Sequence, residues 1–385
     1  MKLFQRKQSR LEKSITSQLS AWLSNRPCSS LGSNPAISEC EALDSEEVVG
    51  RLMRSYSSAG TKRPESDSMW NFIGSKHHEP LHDSLISGDV QRVKEILRNP
   101  RQSNIMYGFD NNCQEFDSRH RKSMQNMCDH IQDYLVSLCE SLGVITRFNP
   151  ESLRADPLGY LKKRSACDCL NADGIIDLLE KELGVELSFK EVFPGEIGLK
   201  SSKGTIPLRA VMALYLAIRL QNVIDCFLGD ANNVSVCELG AGTGRSAYFA
   251  KQLGITNYSI VDIPITSIIS GFFLVASCGA DGVVLPGESV SRADQIKLMH
   301  PEGFLGTNEK YDVVVSMDSF TEFGRKTAES YVQKILRNSR SFFSINHEMN
   351  EVVVGEQMAS CGWKKMFRSP CWIRRGYVEE FWVRS

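Results

Sequence analysis

The chain has 385 residues, of which 42% are hydrophobic and 24% are charged, and its net charge is −1. This length fits two domains or one large domain with an extension, while the near-neutral charge provides no global basic field to hold DNA or RNA. No run approaches the roughly 20 apolar residues of a membrane span, and no compact apolar segment follows the basic N-terminus. We therefore expect a cytoplasmic protein that binds neither nucleic acid nor a membrane.

The first 65 residues are rich in Ser, Lys, Arg and Glu, and their hydrophobic periodicity is weak. Apolar residues recur every four positions from Leu11 to Leu23, which is the spacing of a short amphipathic helix. Gly32 and Pro35 interrupt the stretch that follows. We predict a flexible or partly helical extension over residues 1–65.

The next part of the chain, residues 66–230, carries mainly helical signals. Apolar residues recur at helical spacing in four stretches, which are 90–97, 124–142, 175–183 and 207–227. His77, His78 and His82 cluster at a predicted helix start, where we expect surface residues rather than metal ligands, with a role on the substrate side left open. We predict an N-terminal helical domain that contacts the substrate or forms a lid over it.

After Asn232, short β-rich runs alternate with helical stretches, a pattern typical of βαβ units in a parallel sheet covered on both faces. The predicted strands are 234–239, 258–263, 283–285, 311–316 and 341–345, followed by a closing hairpin of 364–368 and 377–383. A plain dinucleotide-binding fold usually lacks such a hairpin, whereas class I methyltransferases carry it. The sequence thus predicts an α/β fold over residues 231–385, a Rossmann-like class I methyltransferase sheet that is mostly parallel with a C-terminal antiparallel hairpin.

A glycine-rich loop joins the first strand of this sheet to the first helix, with Glu238 followed by Gly240, Ala241, Gly242 and Gly244. Glycines let the chain turn tightly and let a ligand approach bare backbone, at the strand ends where open α/β sheets bind ligands. The spacing is G-x-G-x-G, whereas the NAD pattern is G-x-G-x-x-G. S-adenosylmethionine (SAM) carries an ammonium and a sulfonium instead of a pyrophosphate, so the carboxylate of Glu238 favours SAM as the cofactor.

Asp262 ends the second strand, 18 residues past Gly244, and Ile263 follows it. A carboxylate there can accept hydrogen bonds from the ribose hydroxyls of SAM or of NAD, although Asp262 could instead cap the next helix. We predict that Asp262 and Ile263 complete the cofactor site together with Asp318, which follows the fourth strand. The third strand, 283–285, is expected to end near the adenine.

Four polar side chains are expected to converge at the edge of the sheet that carries the glycine loop. Asp318 and Glu322 follow the fourth strand, and His347 and Glu348 follow the fifth. A hydroxyl nucleophile benefits from a base, and His347 is a candidate because its ordinary pKa is nearest neutrality; it could equally cap the following helix. Asp318 could orient that imidazole, act as the base itself, or help Glu322 or Glu348 hold a divalent cation. We assign candidate catalytic roles to all four and predict no metal site.

Beyond the generic glycine loop, the chain resembles the sugar O-methyltransferase family over about residues 68–348. The shared segments are Ser68-Met69-Trp70, Asn99-Pro100, Tyr107-Gly108-Phe109-Asp110, Gly195-Glu196-Ile197-Gly198-Leu199, Val261-Asp262-Ile263-Pro264, Asp318-Ser319 with Glu322, and Ser344-Ile345-Asn346-His347-Glu348. The chain departs from the family at Ser316, where asparagine is common, and at His347, where arginine is common. The second departure shifts weight from His347 to Asp318 and Glu322.

The resemblance implies SAM as cofactor and an enzyme that methylates a hydroxyl of a sugar or glycosylated small molecule by in-line displacement. The helical N-terminal domain would then bind that small-molecule substrate. Two alternatives stay open, which are an N- or C-methyltransferase of a non-sugar natural product or peptide, and a non-catalytic SAM-fold subunit that binds a partner. The sequence also leaves open a homo-oligomer and the use of a divalent cation.

Overall fold

The computed structural model describes residues 31–33, 45–59, 69–110, 112–113, 124–145 and 171–384. The helix predicted between Leu11 and Leu23, and most of the predicted extension, lie outside these residues. The helices of the first half are α1 (Glu46–Ser57), α2 (Trp70–Ile73), α3 (Glu79–Ser87), α4 (Val90–Arg98), α5 (Pro100–Ser103), α6 (Met124–Ser141), α7 (Ala172–Leu183) and α8 (Leu208–Phe227). A π-helical segment, Gly74–His78, joins α2 to α3.

Local sequence explains where several of these helices begin and end. The Asp89 side chain accepts a hydrogen bond from the Arg92 amide at the start of α4, and Asn171 does the same for Gly174 at the start of α7. Gly184 ends α7 in the left-handed conformation that glycine adopts without strain. Pro207 directly precedes α8, close to where the sequence predicted its start.

An eight-stranded sheet forms the second half of the molecule. Its strands are β4 (Val236–Leu239), β5 (Tyr258–Val261), β6 (Val283–Val284), β7 (Ile296–Met299), β8 (Tyr311–Met317), β9 (Ser339–His347), β10 (Lys364–Pro370) and β11 (Tyr377–Val383). They lie in the order β10-β11-β9-β8-β4-β5-β7-β6, in which β11 pairs antiparallel with both β10 and β9 and the other five pairings are parallel. The connecting helices are α9 (Arg245–Gln252), α10 (Pro264–Cys278), α11 (Pro301–Gly306), α12 (Arg325–Asn338) and α13 (Val354–Ser360).

This arrangement is the Rossmann-like class I methyltransferase sheet, the fold of SAM-dependent methyltransferases, so the predicted fold class is confirmed. One strand of this sheet was not predicted. The strand beside β5 is β7, which the sequence analysis missed, and β6 lies outside it at the sheet edge. Because β7 follows β6 without an intervening α-helix, the alternation of strands and helices did not reveal it.

The first half is not entirely helical. A small antiparallel sheet contains β1 (Leu31–Ser33), β2 (Ile197–Ser201) and β3 (Gly204–Ile206). Gly204 turns the chain between β2 and β3 with φ of +108°, and a Cβ there would lie 2.2 Å from the carbonyl oxygen of Phe189. These strands are too short for a hydrophobic period to appear in the sequence.

Helix α1 lies within the range predicted as an extension, yet it packs against α10 of the sheet domain. Its apolar side chains Val49 and Leu52 are fully buried in the main core. The Arg51 guanidinium adds a two-point ion pair to Glu288, with N–O distances of 2.7 and 2.8 Å. The described part of the N-terminal region therefore stabilises the outer face of the sheet domain.

Helix α8 is long and apolar enough to cross a membrane by length and composition, but 67% of that stretch is buried inside the protein. It packs against α9 on one side and α6 on another. A single hydrophobic cluster accordingly runs from the N-terminal helices through α8 to one face of the sheet. The boundary predicted at residue 230 stays a prediction, and α8 joins the two regions it would separate.

A buried ion pair fastens α8 to the closing hairpin. Glu379 on β11 is fully buried, and its Oε2 accepts hydrogen bonds from Nε and Nη2 of Arg219 at 2.9 and 2.8 Å. The Tyr215 hydroxyl donates to the other carboxylate oxygen. The Arg219 guanidinium also stacks 4.1 Å from the Trp372 ring centroid. Each charge is therefore satisfied inside the core, which is the condition for burying it.

We predict that Arg219→Met lowers the free energy of unfolding by about 3–5 kcal/mol, because it leaves the Glu379 carboxylate buried without its counter-ion. Chemical denaturation measures the change. The control is Arg340→Met, which removes a pair with Asp312 whose arginine side chain is 79% exposed, and which we expect to cost less than about 1 kcal/mol. Equal losses in the two variants would contradict a stabilising role for the buried pair.

Candidate active site

A cavity of about 380 Å³ opens at the carboxyl ends of the central strands, between the sheet and the N-terminal helices. Seven of the eight predicted cofactor-binding residues line it, and these are Glu238, Gly240, Ala241, Gly242, Asp262, Ile263 and Asp318. The eighth, Gly244, is the N-cap residue of α9 and does not line the cavity. The helical half supplies the opposite wall, which includes Trp70, Phe109, Arg209, Met212 and Leu216. The cavity is thus built by both halves of the chain.

The glycine loop owes its shape to left-handed backbone and close packing. Gly240, Gly242 and Gly244 have φ values of +76°, +59° and +78°, which side chains with a Cβ rarely adopt. A Cβ at Gly240 would lie 2.5 Å from the Cβ of Ser319. The Ser319 hydroxyl in turn donates to the Leu239 carbonyl at 2.6 Å. The loop is therefore held against the exit of β8.

Asp262 fixes the other side of the same loop. One carboxylate oxygen accepts a hydrogen bond from the Gly242 amide at 2.9 Å, and the other accepts from the Ile263 amide at 2.8 Å. Burial raises the pKa of Asp262 to about 7, against the effect of these two amides. A ligand that donates hydrogen bonds or brings positive charge would favour its ionised form.

Glu238 lines the cavity and is only 3% exposed. Its Oε2 accepts hydrogen bonds from the hydroxyls of Ser246, at 2.5 Å, and Tyr258, at 3.0 Å. Burial raises its pKa to about 7 in spite of these donors. The carboxylate is preorganised but lacks a positive partner among the described residues, which suits it to a cationic ligand group.

The Asp318 carboxylate accepts hydrogen bonds from three separate parts of the chain. Its Oδ2 accepts from Nη1 of Arg374 at 2.6 Å and from Nη1 of Arg209 at 3.2 Å, and its Oδ1 accepts from the Tyr377 hydroxyl. Its φ of +55° is unusual for a residue with a Cβ. Burial alone would raise the pKa of Asp318, but the two guanidinium groups and the Tyr377 hydroxyl lower it below the ordinary value. Asp318 is therefore a stable carboxylate and a weak base.

Glu322 lies four residues further on and also lines the cavity. Burial and the neighbouring negative charge of Asp318 raise its pKa to about 7, while Arg209 and a hydrogen bond from Trp70 oppose the rise. Two carboxylates side by side thus have pKa values shifted in opposite directions, a pattern found where one group transfers protons and the other stays charged.

The other two predicted catalytic residues lie elsewhere. Neither His347 nor Glu348 lines the cavity. His347 packs edge-on against the Tyr377 ring, with centroids 5.4 Å apart, and its Nδ1 accepts from the Met349 amide. Glu348 forms a two-point ion pair with Arg368 at 2.7 and 2.8 Å on the outer hairpin. Of the four candidates, only Asp318 and Glu322 share the cavity.

Several residues in or beside the cavity were not functional candidates from the sequence. Arg209 comes from α8, whereas Arg374 and Tyr377 come from the closing hairpin, so no short motif connects them with Asp318. Trp70 and Phe109 stack at a centroid distance of 6.4 Å in the wall opposite the glycine loop. Both belong to segments that carried the family resemblance, and that resemblance was the sequence signal that could have identified them.

The histidine cluster differs from its prediction as surface. His77 and His78 are buried, with His77 stacked on Tyr107 at 4.0 Å. Burial and then the neighbouring His77 lower the pKa of His78 to about 4. The prediction was wrong because the π-helical turn directs both rings inward, a geometry that a regular helical period does not anticipate. Within the described ranges, no group of three His, Cys, Asp or Glu residues could hold a metal ion.

We predict that Gly240→Ala destabilises the protein by at least about 1–3 kcal/mol more than Gly254→Ala, because the new methyl group overlaps Ser319. Gly254 is a matched control: its φ is +90°, and a Cβ there would meet no heavy atom within 4 Å among the described residues. Both variants strain a left-handed backbone, and only the first crowds the loop. Thermal or denaturant unfolding compares them, and equal destabilisation would refute the proposed crowding.

No protein-family model matches the chain, and no curated protein matches it. Among solved structures, it is similar to the magnesium protoporphyrin IX methyltransferase from Synechocystis PCC 6803 with bound SAM, at 14% identity over 46% of this chain and 83% of that chain, with a TM-score of 0.35. It is also similar to an O-methyltransferase family protein from Burkholderia thailandensis (13% identity, 46% and 60% covered, TM-score 0.31). A third is the mitomycin 7-O-methyltransferase (11% identity, 46% and 57% covered, TM-score 0.32). These similarities span less than half of this chain and leave its substrate open.

Proposed function

We propose that this protein is a SAM-dependent O-methyltransferase that acts on a hydroxyl of a sugar or glycosylated small molecule. The observation that carries the proposal is the composition of the single cavity described above. Its sheet side presents the glycine loop with Glu238 and Asp262, and its helical side presents Trp70 next to the carboxylate of Glu322. One side suits the cofactor and the other suits an acceptor.

The residues present fit SAM on chemical grounds. Asp262 would accept from ribose hydroxyls, and Glu238 would face the ammonium of the amino acid end. A Cβ at Gly242 would lie 3.6 Å from the Cβ of Phe109, so the absence of one keeps the gap between loop and helical wall open. When bound, SAM supplies an electrophilic methyl group. A cation here would also neutralise carboxylates whose pKa values burial has raised.

Glu322 is the proposed general base. It lines the cavity, and the Trp70 indole orients it through a hydrogen bond. Its pKa of about 7 lets it be ionised near neutral pH and still accept a proton from a hydroxyl, the balance that general bases require. Asp318 would keep its negative charge in place and support this pKa instead of accepting the proton.

The acceptor side is the basis for proposing a sugar. The flat face of Trp70 can pack against the C–H groups on one face of a pyranose ring, since aromatic side chains combine large apolar area with defined geometry. The carboxylate of Glu322 beside it can accept from a ring hydroxyl. Met212 and Leu216 of α8 extend the apolar wall, which leaves room for the apolar part of a glycoside.

We expect the full-length protein to bind SAM in calorimetry and to transfer its methyl group to a glycoside, which mass spectrometry would detect as a gain of one methylene. Absence of SAM binding at millimolar concentration would contradict the proposal. Binding without methylation of any sugar or glycoside, but with methylation of an amine or carbon acceptor, would favour the N- or C-methyltransferase. Binding without any methylation would favour a non-catalytic subunit.

We predict that Glu322→Gln lowers kcat by about 10²–10⁴-fold while SAM binding persists, because the variant lacks the base but keeps the cavity. In the wild type, kcat should rise with pH through about 7 as the Glu322 carboxyl loses its proton, and this rise should vanish in the variant. A pH series of initial rates measures both effects.

The same series on His347→Gln and Glu348→Gln compares the other sequence candidates directly. A flat pH profile in the His347 variant with an intact profile in the Glu322 variant would assign the base to His347 and refute the proposed role of Glu322.

A further inference from the structure

Arg245 is the first residue of α9 and follows the glycine loop directly. It lines the cavity although its side chain is only 3% exposed. Its Nη2 donates to the Glu196 carboxylate at 2.6 Å, and this is its only hydrogen-bond acceptor in the described part of the chain. A guanidinium has five N–H donors, so most of its capacity is unused.

The surroundings of Arg245 fix its position. Its guanidinium lies 4.9 Å from the Phe273 ring centroid and 5.8 Å from that of Phe193. Glu196 is equally buried, at 3% exposure, and belongs to a segment that the family resemblance singled out before its role was evident. Its ion pair, two aromatic rings and the helix hold the arginine rigidly.

Two nitrogen atoms of this group have no hydrogen-bond acceptor among the described residues, and Nη1 is one of them. Nε of Arg245 is buried and has no hydrogen-bond acceptor among the described residues. A buried donor without an acceptor costs free energy, and such exceptions call for an explanation. The amides in the first turn of α9 are also without intrahelical acceptors, and their dipoles favour a negative charge at this end. Both observations point to an anionic ligand group at the start of α9.

We propose that Arg245 binds the carboxylate of the amino acid end of SAM, and that Glu196 is the positioning residue that holds Arg245 for this contact. The proposal rests on the proposed function and deepens it. Glu238 lines the same cavity and would face the ammonium, so the two charges of one amino acid group would meet two oppositely charged side chains. The helical half would then contribute to cofactor binding through Glu196.

The test compares two ligands in calorimetry with full-length protein. S-adenosylhomocysteine carries the amino acid end, whereas 5′-methylthioadenosine has the same nucleoside and a sulfur but no amino acid. We expect Arg245→Gln to weaken S-adenosylhomocysteine about 10- to 100-fold, the range for a hydrogen bond to a charged group, and to leave methylthioadenosine unchanged. Arg245→Lys should retain part of the affinity.

Two further variants separate binding from folding. Glu196→Gln keeps Arg245 but loosens it, so it should weaken S-adenosylhomocysteine by less than Arg245→Gln does. The double variant Glu196→Gln/Arg245→Gln leaves no unpaired buried charge, and its unchanged methylthioadenosine affinity would show that the site is intact.

Three outcomes would overturn the proposal. Equal weakening of both ligands in Arg245→Gln would mean a structural role only. No change for either ligand would mean that Arg245 does not contact the cofactor. Wild-type protein that binds neither nucleoside would refute the proposed function itself, which is a different failure from the first two.

Discussion

The ionised carboxylate of Asp318 is the contact on which the site depends. Arg209 from α8, Arg374 from the hairpin loop and Tyr377 from β11 all donate to it. Asp318 itself sits just past β8 in left-handed backbone, and its amide donates to the Ile345 carbonyl of β9. One charge therefore positions three separate parts of the chain, and the backbone of Asp318 ties that charge to β9. Because the Asp318 side chain is only 12% exposed, the loss of its cationic partners would destabilise the protein more than the loss of an exposed ion pair.

The neighbours of this charge acquire their chemical properties from burial. Glu238, Asp262 and Glu322 all have pKa values raised to about 7, primarily by burial. A cationic ligand in this cavity would favour the ionised forms of these three carboxyls, so we expect its binding to be linked to the release of protons. The pKa of Asp318, in contrast, lies below its ordinary value, because Asp318 already has its guanidinium partners. The fixed guanidinium partners thus keep Asp318 charged, while Glu322, four residues later, has a pKa near neutrality.

Prediction from sequence succeeded where the physical cause is local. The glycine loop needs left-handed backbone at fixed spacing, and that requirement is written in neighbouring residues from Gly240 to Gly244. The closing hairpin was equally visible, because its two runs flank a turn-rich stretch. Prediction from sequence failed where an element is short or where its structure depends on contacts distant along the chain. Strand β7 has four residues and pairs only in the folded sheet, and the π-helical turn at His77 and His78 breaks the period on which the surface prediction relied.

The sequence by itself determined the sheet type, the glycine loop and the acidic residue at the end of β5, since each follows from periodicity or backbone sterics over a few residues. Only the tertiary structure decided which charged side chains meet in and around the cavity. Arg209 and Arg374 lie 109 and 56 residues from Asp318, and Glu196 lies 49 residues from Arg245. Coulomb interactions depend on distance in space and on exclusion of water, and neither is encoded in the spacing of residues along the chain.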